Sequence, residues 1–175
     1  MRERYTTTAI VFHWLIALLI IGTFSLGWVM SDMPGISPTK LKYYSWHKWS
    51  GVTILGLAAL RLLWRLKNSA PAYPAAMPAW QKGAAHGLHG LLYVLMFAVP
   101  LSGYFYTLSA GYPVVYFGLV ELPVLIGADP ALKPVLGALH YWLNMGLLGA
   151  VALHVAAALK HQFIDRDGVL KRMLP

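Results

Sequence analysis

The stretch from Ala138 to His161, ALHYWLNMGLLGAVALHVAAALKH, is apolar almost throughout, yet it carries His140 and His154 in its interior. A helix of about 20 apolar residues spans a bilayer, and an ionisable side chain inside such a span is costly enough to mark a functional site. The two histidines lie close to four helical turns apart, so both imidazoles leave nearly the same face, about 21 Å from each other along the axis. One belongs near each membrane surface. Gly146, Gly149 and Ala150 between them are expected to leave that flank bare enough for a flat, bulky group to reach the backbone. Two axial haem ligands stacked across a membrane have this pattern.

Composition narrows the class. Of the 175 residues, 58% are apolar and 11% charged, far from the roughly 45–50% and about 25% of soluble domains. The formal net charge of +8 does not point to nucleic acid, because the cations sit at the ends of apolar segments and not on one face of a soluble fold. With no cysteine, disulfides, thiolate zinc sites, cysteine-ligated clusters and covalent c-type haem are excluded. Any haem is of b type and held by histidine.

Four apolar segments must position these residues, at about 10–30, 43–66, 83–109 and 138–161, in a single all-α transmembrane domain over 1–175. The first is longer than a signal-peptide core and no cleavage pattern follows it, so it reads as a retained span. Ser31 to Lys42 and Asn68 to Gln81 contain the prolines and glycine of loops. Pro100 is expected to kink the third span. Gly111 to Gly137 is long for a bundle connection and too apolar to lie free in water, which predicts an interfacial lid. With both termini cytoplasmic, the inner ends carry Arg2, Arg4, Arg61, Arg65, Lys67, Lys82, Lys160, Arg166, Lys171 and Arg172, against Lys40, Lys42, Lys48 and Lys133 outside. Trp46, Trp49, Trp64, Trp80 and Trp142 fall near span ends, as an aromatic belt requires.

Direction gives each histidine a depth. His47 and His140 share the outer layer and form its one possible axial pair. The inner layer holds His13, His86, His89 and His154, so His154 can pair with His13 or with a member of the His86/His89 couple, whose i, i+3 spacing places both on neighbouring parts of one face. His161 lies at the inner boundary, where an interfacial role competes with a functional one. A lone histidine at a span end is ordinary, but four spans each carrying one in two layers point to a metal cofactor. Zinc fits less well, since closed zinc sites want four ligands. Arg61 and Arg65 can snorkel to headgroups, while the deeper Arg61 can instead meet a haem propionate through its planar guanidinium.

The sequence resembles the bacterial cytochrome b561 family, four-helix inner-membrane cytochromes with two b haems, over essentially its full length. The likeness rests on FHWLIALL at 12–19, HKWSG with RLLWRLK, AHGLHGLLY with VPLSGY, YFGLVELP and the closing LHVAAALKHQFIDRDGVLKRMLP. The resemblance implies that His13 and His154 hold the inner haem and His47 and His140 the outer one. His86 and His89 then become residues that hold propionates or tune the haem. Members of the superoxide oxidase branch take electrons from superoxide at the periplasmic face and reduce ubiquinone, with the histidine matching His161 beside the quinone.

The expected function is therefore an oxidoreductase that passes electrons between the periplasmic face and the quinone pool, with superoxide as donor and ubiquinone as acceptor. The bilayer is a partner and nucleic acid is not. The lysines at the outer surface, Lys40, Lys42, Lys48 and Lys133, can attract an anion. One rival is a cytochrome b membrane anchor that docks a periplasmic redox protein and exchanges its electrons with quinone. Another is a non-redox haem carrier or sensor.

Overall fold

A computed structural model describes residues 4–175. Arg2, counted above among the inner cations, lies outside the described residues. Four long helices run through Thr7–Asp32 (α1), Pro38–Lys67 (α2), Ala79–Ser109 (α3) and Leu132–Lys160 (α4), each long and apolar enough to cross a membrane. Each begins earlier in the sequence than hydropathy alone predicts, and capping chemistry accounts for the first two. Thr6 Oγ1 accepts from Ala9 N–H at 3.3 Å to open α1. Ser37 Oγ accepts from Lys40 N–H at 3.2 Å, with Pro38 in the first helical position, where its missing N–H costs nothing. The predicted loops over 31–42 and 68–81 shrink accordingly. Pro134 likewise sits in the first turn of α4 and does not delay the helix until residue 138.

α4 packs along α3, α1 along α2, and α2 closes against α3. Two small clusters form the dry middle of the bundle. Ile16, Ala58 and Met96 join α1, α2 and α3, and Leu95, Leu147 and Ala150 join α3 to α4. α3 passes through Pro100 as one continuous helix. Leu147, not a bare glycine flank, occupies the α4 face between His140 and His154, while Gly146 and Gly149 are exposed. The reason is geometric: nine residues after His140, at about 100° per residue, Gly149 points to the opposite side of the helix.

The connection from α3 to α4 is more structured than a lid resting on the surface. Val115–Tyr116 (β1) and Val120–Glu121 (β2) form a small antiparallel hairpin. Trp49 Nε1–H of α2 donates to Val115 C=O at 2.8 Å, Thr53 Oγ1 meets Tyr116 OH at 2.9 Å, and Val114 is fully buried. Phe117, Leu119 and Val120 at the tip remain exposed. The aromatic belt is also thinner than expected. Trp46, Trp80 and Trp142 face outward, but Trp49 is committed to the hairpin and Trp64 Nε1–H donates to Thr6 Oγ1 at 3.0 Å.

At the opposite end the two chain ends meet. Tyr5 N–H donates to Arg172 C=O at 3.3 Å, Trp14 Nε1–H to Met173 C=O at 2.8 Å, and Arg4 Nη2 to Leu174 C=O at 2.7 Å. Arg172 Nη1 reaches Ala72 C=O of the α2–α3 loop at 2.6 Å. The first and last segments of the chain thus close one end of the bundle together.

Candidate functional site

At the hairpin end of the bundle, His47 of α2 and His140 of α4 face each other with ring centres 6.2 Å apart and planes at 88°. Each ring is held from behind. His47 Nδ1 lies 3.0 Å from Thr23 C=O of α1, and His140 Nδ1 lies 3.1 Å from Val99 C=O and 3.0 Å from Ser102 Oγ of α3. A carbonyl can only accept, so it fixes the proton on Nδ1 and leaves Nε2 as a lone-pair donor, the arrangement that orients a metal-ligating imidazole. Two glycines make room for the rings. A Cβ at Gly27 would stand 3.0 Å from His47 Cε1, and one at Gly103 only 2.8 Å from His140 Cε1.

His47 and His140 border a cavity of about 710 Å³, walled mostly by apolar side chains of all four helices and reached by Lys40, Lys48 and Lys133. That volume lies in the range of about 300–1,000 Å³ that encloses small-molecule and cofactor ligands. Thr23 Oγ1, on the cavity wall, is buried without a hydrogen-bond partner, and such atoms call for explanation. Lys42 takes another course and sits 4.8 Å from the Trp46 ring centre.

At the other end, His13 of α1 and His154 of α4 have ring centres 6.1 Å apart with planes at 77°. His89 of α3 approaches His154 from a second side at 5.4 Å. His86 does not join them: it is exposed and packs edge-on against Tyr73 at 5.2 Å. Arg61 turns inward, with Nη2 3.3 Å from His13 Nδ1 and its guanidinium 5.6 Å from the Tyr93 ring centre. Arg65 flanks the same ring at 6.0 Å and is exposed. The inner rings therefore have a cation beside them where the outer rings have backbone carbonyls.

Both facing pairs have the spacing of a bis-histidine haem. Two imidazole nitrogens about 2.0 Å from one metal, with ring centres about 1 Å further back, place those centres about 6 Å apart. The donor set is nitrogen only, without thiolate or carboxylate, a set that suits a non-covalent haem held by two histidines. A closed zinc site would need four ligands. Among the described residues, the one group of three metal-ligating side chains with mutually close donor atoms is His161, Asp165 and Asp167, beyond the end of α4. There Lys160 Nζ already serves Asp165 as its cation, at 2.7 and 2.5 Å from the two carboxylate oxygens.

Residues 4–175 match the family model described as prokaryotic cytochrome b561. The chain belongs to that family. It is 34% identical to cytochrome b561 homolog 2 of Escherichia coli over 98% of this chain and 92% of the relative. Identity is 30% to cytochrome b561 homolog 1 of the same organism, over 99% of this chain and 98% of the relative. It is also 30% to a Yersinia pestis protein named probable superoxide oxidase CybB, over 100% and 98%. Membership makes this cytochrome b561 a haem b protein of membrane electron transfer, with four spans in the bacterial inner membrane.

Several site residues were not found by reading the sequence. Gly27 and Gly103 leave a usable signal, since each is a glycine within an apolar span at the depth of an outer histidine. Thr23 and Val99 act through backbone carbonyls, which no side-chain pattern reveals. Tyr93 is brought to Arg61 and Arg65 only by the packing of α3 on α2.

Proposed function

We propose that this cytochrome b561 carries two haem b groups, one on His47 and His140 and one on His13 and His154, and moves electrons from the periplasmic face to ubiquinone at the cytoplasmic face. The observation that carries this reading is the presence of two facing imidazole pairs, at 6.2 and 6.1 Å, at opposite ends of one bundle with α4 contributing to both. Each haem supplies a one-electron carrier; the chain supplies ligation, spacing and an apolar barrier between the layers. Both termini are cytoplasmic. In support, the joined chain ends share one side of the bundle with Arg61, Arg65 and Arg172, as the positive-inside tendency requires.

Superoxide is the donor. It is an anion, and the outer cavity is the one reached by Lys40, Lys48 and Lys133, whose field attracts anions. His47 and His140 would hold the outer haem, which would accept the electron that superoxide gives up as it leaves as oxygen. Two superoxide ions, one ubiquinone and two protons give two oxygen molecules and one ubiquinol. The name of the Yersinia pestis relative agrees with this reading. His161, beyond the inner histidine layer, is the quinone-side residue.

The test adds potassium superoxide to the purified di-haem protein with ubiquinone under argon and follows ubiquinol. Superoxide-dependent ubiquinol formation at a rate above the protein-free control is expected. Haems that stay oxidised under superoxide but exchange electrons with quinol would instead indicate a membrane anchor serving a separate redox subunit.

A further inference from the structure

The end of α4 is built in an unusual way. After Lys160 the helix widens into a π turn over His161–Asp165, a feature that frequently accompanies functional sites. Arg166 then adopts a left-handed conformation with φ 52°, its N–H closing onto His161 C=O, and Gly168 follows at φ 75°. Left-handed backbone at a residue other than glycine is uncommon. The two positions bracket Asp167 and fold the chain back so that its carboxylate returns to His161.

Asp167 is fixed at both oxygens. Its Oδ2 accepts from His161 Nδ1 at 2.7 Å and its Oδ1 from Val169 N–H at 3.1 Å. Asp165 lies further from the same ring nitrogen, at 3.2 Å, and is held by Lys160. Arg166 turns its Nε to Phe163 C=O. Of the charged groups around His161, then, Asp167 is the one whose geometry is aimed at the ring. A carboxylate on Nδ1 orients the ring and leaves Nε2 as the nitrogen free for another partner.

We propose that Asp167 is a positioning residue for proton delivery to quinone, holding the His161 imidazole so that its Nε2–H is aimed at a quinone carbonyl oxygen. This rests on the reading of His161 as the quinone-side residue. Reduction to quinol takes two electrons, supplied one at a time by electron transfer within the b-haem protein, and two protons. At His161 the Nε2–H bond breaks as an O–H bond forms on the quinone. The imidazole is left neutral beside the Asp167 carboxylate, and cytoplasmic solvent returns the proton. The same cycle supplies the second one.

The experiment measures quinone reduction by Asp167→Asn, Asp167→Glu, Asp165→Asn and His161→Ala proteins in detergent with both haems present. Asp167→Asn should lower kcat ~10-fold or more, the scale on which groups orienting an imidazole act. KM for quinone should stay within about 2-fold of the parent, because uniform binding is untouched. The solvent isotope effect on kcat should rise, haem spectra should be unchanged, and Asp167→Glu should restore most of the rate. Asp165→Asn should have the smaller effect. Slow His161→Ala with unaltered Asp167→Asn would overturn the role of Asp167 while leaving His161 at the quinone. Normal rates in both would overturn the quinone-side reading and this proposal with it. A larger loss in Asp165→Asn, or an Asp167→Asn loss that appears only in KM or with altered haem spectra, would also overturn it.

Discussion

Gly103→Ala tests the outer histidine pair through a single methyl group. The added Cβ would stand 2.8 Å from His140 Cε1, 3.2 Å from Nδ1 and 3.4 Å from Nε2, whereas carbon–carbon contacts are comfortable at about 3.5–4.0 Å. The ring must retreat by about 0.7–1.2 Å, and metal–ligand distances tolerate only about 0.2 Å. It cannot swing freely, because Nδ1 is tied to Val99 C=O and Ser102 Oγ. Overpacking costs about 1–3 kcal/mol and a broken hydrogen bond about 1 kcal/mol, offset by about 1 kcal/mol of helix propensity gained over glycine. The bundle thus survives a net loss of about 1–3 kcal/mol, while the outer ligand geometry does not. Pyridine haemochrome analysis should show the haem content falling from two per chain to one, with one low-spin component missing from the reduced spectrum. Gly27→Ala, with its Cβ at 3.0 Å from His47 Cε1, should weaken the same component less. Gly146→Ala, whose Cβ would meet only Leu95 Cδ2 at 4.0 Å, should leave both. A Gly103→Ala protein with two haems and an unaltered spectrum would refute the assignment of His140 as an axial ligand cradled by that glycine.

Other expectations follow from the same geometry. His47→Ala should remove the outer haem and keep the inner one, read as one haem per chain with a single remaining low-spin signal. His13→Ala should cost the inner haem, and His89→Ala should keep two haems with a shifted inner spectrum; the opposite pattern would make His89 the partner of His154. Trp49→Phe should lose the 2.8 Å bond to Val115 C=O, worth about 1 kcal/mol, and lower the thermal midpoint by a few degrees while raising protease cleavage within 111–131. Equal cleavage in parent and variant would mean that the hairpin is anchored elsewhere.

The spans and the layering of the histidines were legible because both depend on side-chain type and helical period. A bilayer demands long apolar runs, and histidine stands out within them. The supports were not legible because they lie in the backbone or in tertiary proximity. Thr23 and Val99 serve through carbonyls that any residue possesses. The smallness of Gly149 suggests a bare flank, but its angle around the helix sets it on the side of α4 away from His140. His86 and His89 looked equivalent at i, i+3, yet only His89 turns to His154, while the 68–78 loop brings Tyr73 over His86. Asp167 follows His161 by six residues, a separation that a continuing α-helix would not use for such a pair. Only the π turn and the left-handed Arg166 bring them together.

Haem also carries weight in the fold itself. The buried clusters that join the helices are small, two groups of three residues. On the hairpin side, side chains of all four helices line the cavity of about 710 Å³. On the other side His13, His89 and His154 crowd with Arg61, which among the described residues forms no ion pair with a carboxylate. Polar groups gathered in an apolar setting are costly unless bonded, and a haem held by His13 and His154, as proposed above, would supply that bond for two of the rings. A ligand that binds only the folded state adds about 2.7 kcal/mol at a hundred times its dissociation constant, so bound haem b adds to the stability of this bundle. Protein produced in haem-deficient cells should therefore unfold well below the holoprotein in a thermal scan and be cut readily at the connections between helices, with both properties recovering on addition of haemin. An unfolding midpoint that does not move with haem content would show that the helices hold together by their own packing, and that the facing histidines are not what joins α4 to α1 and α2.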